Sequence, residues 1–285
     1  MSRTDRRGYQ LELRLQTRSL REHPVVTDLL TAAHGEVNVE VSGRITALST
    51  AANPHQSRRR PLRVGCSVGH GLVGAGTLGC FLQFPKQKGA IGVLSNNHVL
   101  AATNLGSIGD PIYQPGLLDS GRDEDRIGTL SHMVPLKEHN LNQLDVAAAV
   151  LDPEIEVLGN RLPDGDIKKV RNPSFEDKFL AKIGRTTGRT QGELSVTELD
   201  GLQVDYPIGS NEFRSFRFSN VIEIIGTKHS FSAVGDSGSM VYSPRTRIGY
   251  AMIFAGSETG VSYAIPLPAA LDAMEAEPLD GTVER

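Results

Sequence analysis

The 285-residue chain has no tryptophan and only two cysteines, Cys66 and Cys80. Two thiols cannot build the multi-bridge framework of small secreted domains. They are expected to be free and packed, in a reducing compartment, although spacing alone leaves a pairing open. No apolar run approaches the length of a membrane-spanning helix. The opening Met1-Ser2-Arg3-Thr4-Asp5-Arg6-Arg7 is charged, and no apolar stretch of secretory type follows it. A cytoplasmic protein with no membrane partner is therefore expected. Charge of one sign is also lacking: a formal net charge of −3 gives no sign of a nucleic-acid partner. The one basic run, Arg58-Arg59-Arg60 with Arg63, stands beside Pro54 and Pro61 and reads as a solvated linker. The eight histidines are scattered and the cysteines stand apart, without paired ligand spacing. No metal and no other cofactor is expected.

Glycine and proline are plentiful, and tight turns between short apolar runs predict a mainly β protein. Residues 1–60 form an α+β appendage closed by the basic linker. Within it Tyr9-Gln10-Leu11-Glu12-Leu13-Arg14-Leu15 and Glu36-Val37-Asn38-Val39-Glu40-Val41 alternate with period 2, and a short helix falls near Val25 to Ala33. Residues 61–163 carry apolar runs such as Thr77 to Leu82, Ala90 to Ser95 and Val146 to Leu151. Residues 164–285 repeat the style, with runs including Phe216 to Ile225, Ile248 to Ala255 and Val261 to Ile265, then a terminal helix over Pro268 to Ala276. Some six strands in each region predict two six-stranded antiparallel barrels.

Three segments carry chemistry. In Ala233-Val234-Gly235-Asp236-Ser237-Gly238-Ser239 a serine sits in a tight, glycine-flanked turn. Such a turn exposes the hydroxyl and lets the N–H groups of Gly235 and Ser237 form an oxyanion hole. In Leu94-Ser95-Asn96-Asn97-His98-Val99 an apolar strand delivers an imidazole to its end. In Leu144-Asp145-Val146-Ala147-Ala148-Ala149-Val150 an acid stands at the lip of a wholly apolar strand, where burial demands a partner. Singly, each has a plainer reading: a surface turn, a structural histidine, a solvent-facing strand start. Together, in the order His98, Asp145, Ser237, they supply a base, an orienting acid and a nucleophile. The site would lie in the cleft between the two regions.

These segments, with Gly76-Thr77-Leu78-Gly79, resemble the chymotrypsin-like (trypsin-like) serine peptidases over roughly Pro61 to Ile265. Lys182-Ile183-Gly184-Arg185-Thr186-Thr187-Gly188 is similar to bacterial members of the alpha-lytic type. Val64 to Ala101 is similar to intracellular plant narrow-leaf peptidases and their bacterial relatives. The resemblance implies two β-barrels, a peptide or protein substrate and the triad His98, Asp145 and Ser237. It also implies that Asp236 supports the site by pairing with Lys182, or failing that with Arg185, so that no activating cut is needed. It places Phe231 at the base of a substrate pocket, where an acid would be required for a preference for Arg or Lys. The walls would come from Ser232 to Val234 and from Phe254, Ala255 and Gly256, opposite Val261 to Tyr263, which favours an uncharged residue at the cleaved position. Ser239 departs from the family's glycine two residues after the nucleophile.

An α/β-hydrolase is excluded, because its acid and histidine follow the serine. The alternative of another class is a catalytically silent binding or scaffold protein on the same fold. A homo-oligomer is compatible with the sequence but nothing in it demands one.

Overall fold

The computed structural model describes residues 2–3, 9–43, 45–46, 54–208 and 212–284. Most of the charged N-terminal run and the middle of the linker, 47–53, lie outside the described residues.

In the appendage, β1 (Tyr9–Leu15) and β2 (Val37–Val41) pair in parallel through α1 (Pro24–Ala32), with Leu11 opposite Val37 and Leu15 opposite Val41. The helix begins where proline is best tolerated: Pro24 occupies its first turn, and His23 Nδ1 accepts the Val25 N–H at 3.3 Å. A buried charge pair docks this unit on the second lobe. Arg14 donates from Nε and Nη2 to the two oxygens of Glu223, at 2.8 and 2.7 Å, and the Glu223 side chain has no exposed surface. Breaking such a pair from one side strands the other charge. Arg14→Ala is therefore expected to cost about 3–5 kcal/mol, read as a lower denaturant midpoint. An Arg14→Met, Glu223→Leu double variant, which removes the buried carboxylate at 223 and leaves Glu12 to the Asn38 amide, is expected to recover part of that loss.

The linker is pinned at several points, although the Arg58 side chain stays 57% exposed. Arg58 Nε donates to Asp125 at 2.8 Å, and the Arg59 N–H and Arg60 Nη1 both reach the buried Gln114 Oε1, at 2.8 and 2.7 Å.

The first lobe contains β3 (Ser67–His70), β4 (Gly76–Thr77), β5 (Cys80–Phe84), β6 (Ala90–Ser95), α2 (Asn97–Leu100), β7 (Pro111–Tyr113), β8 (Arg126–Met133) and β9 (Ala147–Leu151). Their lateral order is β5-β6-β9-β8-β7-β3-β4, with Glu277–Pro278 added beside β5. The path is open, so the lobe is a half-barrel and not the closed six-stranded barrel expected. β4 and β5, at opposite ends of that seven-strand order, are consecutive in the chain. At the step between them Leu78 N bonds Cys66 O at 2.9 Å while Gly79 N bonds Leu94 O at 3.0 Å. The chain exchanges one neighbour for the other there, and no single strand ladders with both.

The second lobe contains β10 (Phe179–Gly184), β11 (Gly188–Leu199), β12 (Leu202–Ile208), β13 (Glu212–Phe218), β14 (Val221–Gly226), β15 (Met240–Tyr242), β16 (Ile248–Ser257) and β17 (Val261–Pro266), then α3 (Leu267–Ala273). Six of these close a ring, β10-β11-β14-β17-β16-β15 and back to β10. The run Phe216 to Ile225, expected as one strand, is two. Asn220 between them has φ +57°, a left-handed conformation that asparagine tolerates. The β12–β13 hairpin lies outside the ring. Among the described residues its backbone pairing reaches β16 through the two-residue strand Ile45–Thr46, which pairs with Ser257 and Gly256 on one side and with Asp205 on the other.

One apolar core runs through both lobes, including Leu78, Leu94 and Val99 from the first and Phe216, Phe218 and Phe254 from the second. A separate cluster fills the closed ring, among it Leu180, Ile224, Phe231 and Ile253. Cys66 and Cys80 are free and buried, and burial pushes their thiols up to about 11 and about 12. Among the described residues, no helix is long and apolar enough to cross a membrane.

Candidate active site

Strand register brings the histidine to the acid. Antiparallel pairing of β9 with β6 sets Ala147 opposite Ser95, so the residues just before β9 face those just after β6. Asn96 Nδ2 donates to the Asp145 carbonyl at 2.7 Å, the His98 N–H reaches Asp145 Oδ1 at 3.2 Å, and His98 Nδ1 meets Asp145 Oδ2 at 2.5 Å. Asp145 has no exposed side-chain surface, and the His98 ring keeps 12% exposure. A buried carboxylate needs such donors. The imidazole stays accessible from one side.

The serine arrives from the second lobe on a turn just before β15. The turn is anchored from within: Asp236 N bonds Ala233 O, Ser239 N bonds Asp236 O, and Gly238 N bonds Ile253 O on β16. Gly235 and Gly238 have φ of +90° and +96°, which favours glycine. Space demands it as well, because a Cβ at Gly238 would lie 2.1 Å from Ser95 Oγ. Thr77 seats the turn against the first lobe. Its N–H reaches the Ser237 carbonyl at 2.8 Å, and its hydroxyl reaches the Gly235 carbonyl at 2.8 Å. The serine turn and the α2 residue after His98 flank one glycine: a Cβ at Gly76 would meet Val99 Cγ2 at 2.4 Å and the Ser237 carbonyl at 3.0 Å. Among the described residues, neither the Gly235 nor the Ser237 N–H donates to a protein acceptor, so both are available to a ligand.

Ser237 Oγ itself donates to the Phe254 carbonyl at 3.4 Å. Among the described residues no hydrogen bond joins it to His98. His98 and Asp145 are thus bonded together, and Ser237 stands apart from them. Such a contact is often loose without substrate and tightens when one binds.

Beneath the turn, Lys182 and Asp236 meet with no side-chain surface exposed, Nζ to Oδ2 at 2.9 Å. Asp236 also accepts from the N–H groups of Thr186, Thr187 and Ala233 and from the Thr187 hydroxyl. Lys182 donates to Thr187 Oγ1 and to the Gly188 carbonyl as well. Burial pulls the Lys182 ammonium below its ordinary value, and Asp236 pulls it back up. Arg185, the other partner considered for Asp236, forms a buried two-pronged pair with Asp119 of the first lobe. Ser239 is fully buried, and its Oγ has no partner among the described residues.

Of the residues expected to form the pocket, Phe231 is fully buried and packs with the closed ring's core. Its ring lies over Gly192, where a Cβ would sit 2.7 Å from Phe231 Cδ2. Ser232 is held by the Ser262 hydroxyl, Oγ to Oγ at 2.7 Å, and the Phe254 ring packs on Phe218 with centroids 4.8 Å apart. Ala255 is fully buried, and Gly256 pairs with Ser262 on one flank and Thr46 on the other. Two residues with no role assigned from sequence complete the site. Thr77 is the seat just described, and Tyr206 donates its hydroxyl to Asp145 Oδ2 at 2.8 Å. A polar residue beside a glycine is too common to mark Thr77, and nothing local to Tyr206 points to an acid 61 residues away. Among the described residues, no three His, Cys, Asp or Glu side chains gather as metal ligands.

The architecture is the chymotrypsin-like peptidase fold. The chain is similar to Nocardiopsis protease over 75% of its own length and 96% of that chain, with TM-score 0.52 and 14% identity. It is similar to Thermobifida fusca protease A over 76% and 97%, with TM-score 0.50 and 12% identity. A third likeness is to Cellulomonas bogoriensis chymotrypsin, over 76% and 97%, with TM-score 0.50 and 13% identity. No protein-family model and no curated sequence matches. At these identities the likeness is one of fold.

Proposed function

We propose that the protein is a serine endopeptidase acting through Ser237, His98 and Asp145. The observation that carries this reading is the buried His98–Asp145 pair, bonded at 2.5 Å and keeping the imidazole open on one side. As Ser237 Oγ bonds to the substrate carbonyl carbon, its proton passes to His98 Nε2. The Gly235 and Ser237 N–H groups receive the charge that forms on the carbonyl oxygen. Collapse breaks the C–N bond, and His98 returns the proton to the leaving amine. A water then releases the acyl group from Ser237 by the same steps. Asp145 holds the tautomer and stabilises the imidazolium. Because Asp236 has its cation within the chain, the uncut protein is competent, and Phe231 in place of an acid six residues before the nucleophile disfavours Arg or Lys at the cleaved position. Unpaired, buried thiols suit a cytoplasmic setting. No cofactor takes part, and the partner is a peptide or protein.

A second reading, a silent scaffold, draws on Ser237 bonding Phe254 rather than His98. A fluorophosphonate probe, followed by intact-mass and peptide mass spectrometry, separates the two. One adduct per full-length chain, located on Ser237, is expected. A folded protein that takes no adduct would favour the scaffold.

A further inference from the structure

We propose that Tyr206 is a positioning residue, its hydroxyl fixing Asp145 so that the acid presents one oxygen to His98; this rests on the triad reading above. Asp145 Oδ2 accepts two donors, His98 Nδ1 at 2.5 Å and the Tyr206 hydroxyl at 2.8 Å, while Oδ1 takes the His98 N–H at 3.2 Å. Turning the carboxylate breaks all three bonds at once. The Tyr206 ring also stands edge-on to the His98 ring, centroids 5.2 Å apart at 64°. Tyr206 is fully buried, so its hydroxyl needs a partner, and Asp145 is the one described. Burial first, and then the carboxylate, push the phenol well above its ordinary value. It stays a donor at any working pH.

The supporting chain favours position over mere filling. Tyr206 lies on β12, in the hairpin outside the closed ring. That hairpin is tied to the stretch that ends in Asp145: Leu141–Asn142 pairs in parallel with Arg217–Phe218, Ser219 N bonds the Asn142 carbonyl at 2.9 Å, and Asn142 Nδ2 bonds the Arg217 carbonyl at 3.2 Å. The second lobe thereby reaches across to hold the first lobe's acid. The ring has packing reasons of its own against Phe216, at 5.4 Å. The hydroxyl does not, and it can be removed separately.

Tyr206→Phe in the full chain keeps the ring and removes one donor from Asp145. The carboxylate becomes more basic and favours the imidazolium more, so the His98 pKa is expected to rise by about one unit in an NMR titration. The acid limb of kcat/KM should move with it. A bond to a charged group is worth roughly tenfold, so kcat should fall about tenfold with KM within twofold. 3-Fluorotyrosine at 206 is nearly isosteric and a stronger donor, and should move the His98 titration downward. It serves even where the phenylalanine variant folds poorly. An unmoved His98 titration in both proteins would overturn the proposal. The titration needs no turnover, so an inert wild type would sink the triad reading and leave this test standing.

Discussion

His98→Ala is expected to lower kcat by about 10⁶, as is Ser237→Ala, and the double variant should be no worse than either. The reason is that neither side chain acts alone. Ser237 is a weak nucleophile until the imidazole takes its proton, and the imidazole has nothing to receive if the hydroxyl is gone. Residual turnover would come from the Gly235 and Ser237 N–H groups and from binding. Asp145→Asn belongs to the same unit but leaves the base in place. It presents an N–H where His98 Nδ1 now finds a carboxylate oxygen at 2.5 Å, which selects the wrong tautomer and is expected to cost about 10⁴. Steady-state kinetics on a peptide substrate, with folding checked by circular dichroism, decides the matter. A His98→Ala variant within tenfold of wild type would refute the assignment.

How far the sequence carried this result depends on the range of the interactions involved. The His98 and Asp145 segments are legible because one apolar run leads into Ser95-Asn96-Asn97-His98 and another follows Asp145, and antiparallel register does the rest. The serine turn is legible because positive φ and close approach leave glycine at 235 and 238. The half-barrel is not legible, because the partner exchange at Leu78–Gly79 is a property of two distant neighbours, Cys66 and Leu94. The packing of Phe231 in the closed ring's core is not legible either, because counting back from the serine fixes a position along the chain and not the side of the barrel wall that the ring faces. The β12–β13 hairpin hides for another reason. Leu202, Val204 and Tyr206 alternate as a strand should, but Pro207 removes a donor and demotes the run. Its edge is repaired from afar by Ile45–Thr46 and Leu141–Asn142. A long-range acceptor for a buried tyrosine has no signature in one sequence.

Lys182→Met is expected to destabilise the protein by about 3–5 kcal/mol and to abolish most of its activity. The methionine matches the stem of the lysine but strands the Asp236 carboxylate, which has no exposed surface. Four donors remain to it: the N–H groups of Thr186, Thr187 and Ala233 and the Thr187 hydroxyl. They hold the carboxylate in place but supply no counter-charge, so the variant keeps a buried anion without its cation. Activity suffers by a separate route. Asp236 fixes Ala233 and bonds Ser239 through its carbonyl, so its displacement loosens the turn that aims the Gly235 and Ser237 N–H groups. Losing a single aimed donor costs about 10²–10³ in kcat. Denaturant unfolding, beside kinetics on the uncut chain, reads both effects. A variant as stable as wild type would mean that the buried carboxylate had found another cation, Arg185 being one candidate, although Asp119 already holds it.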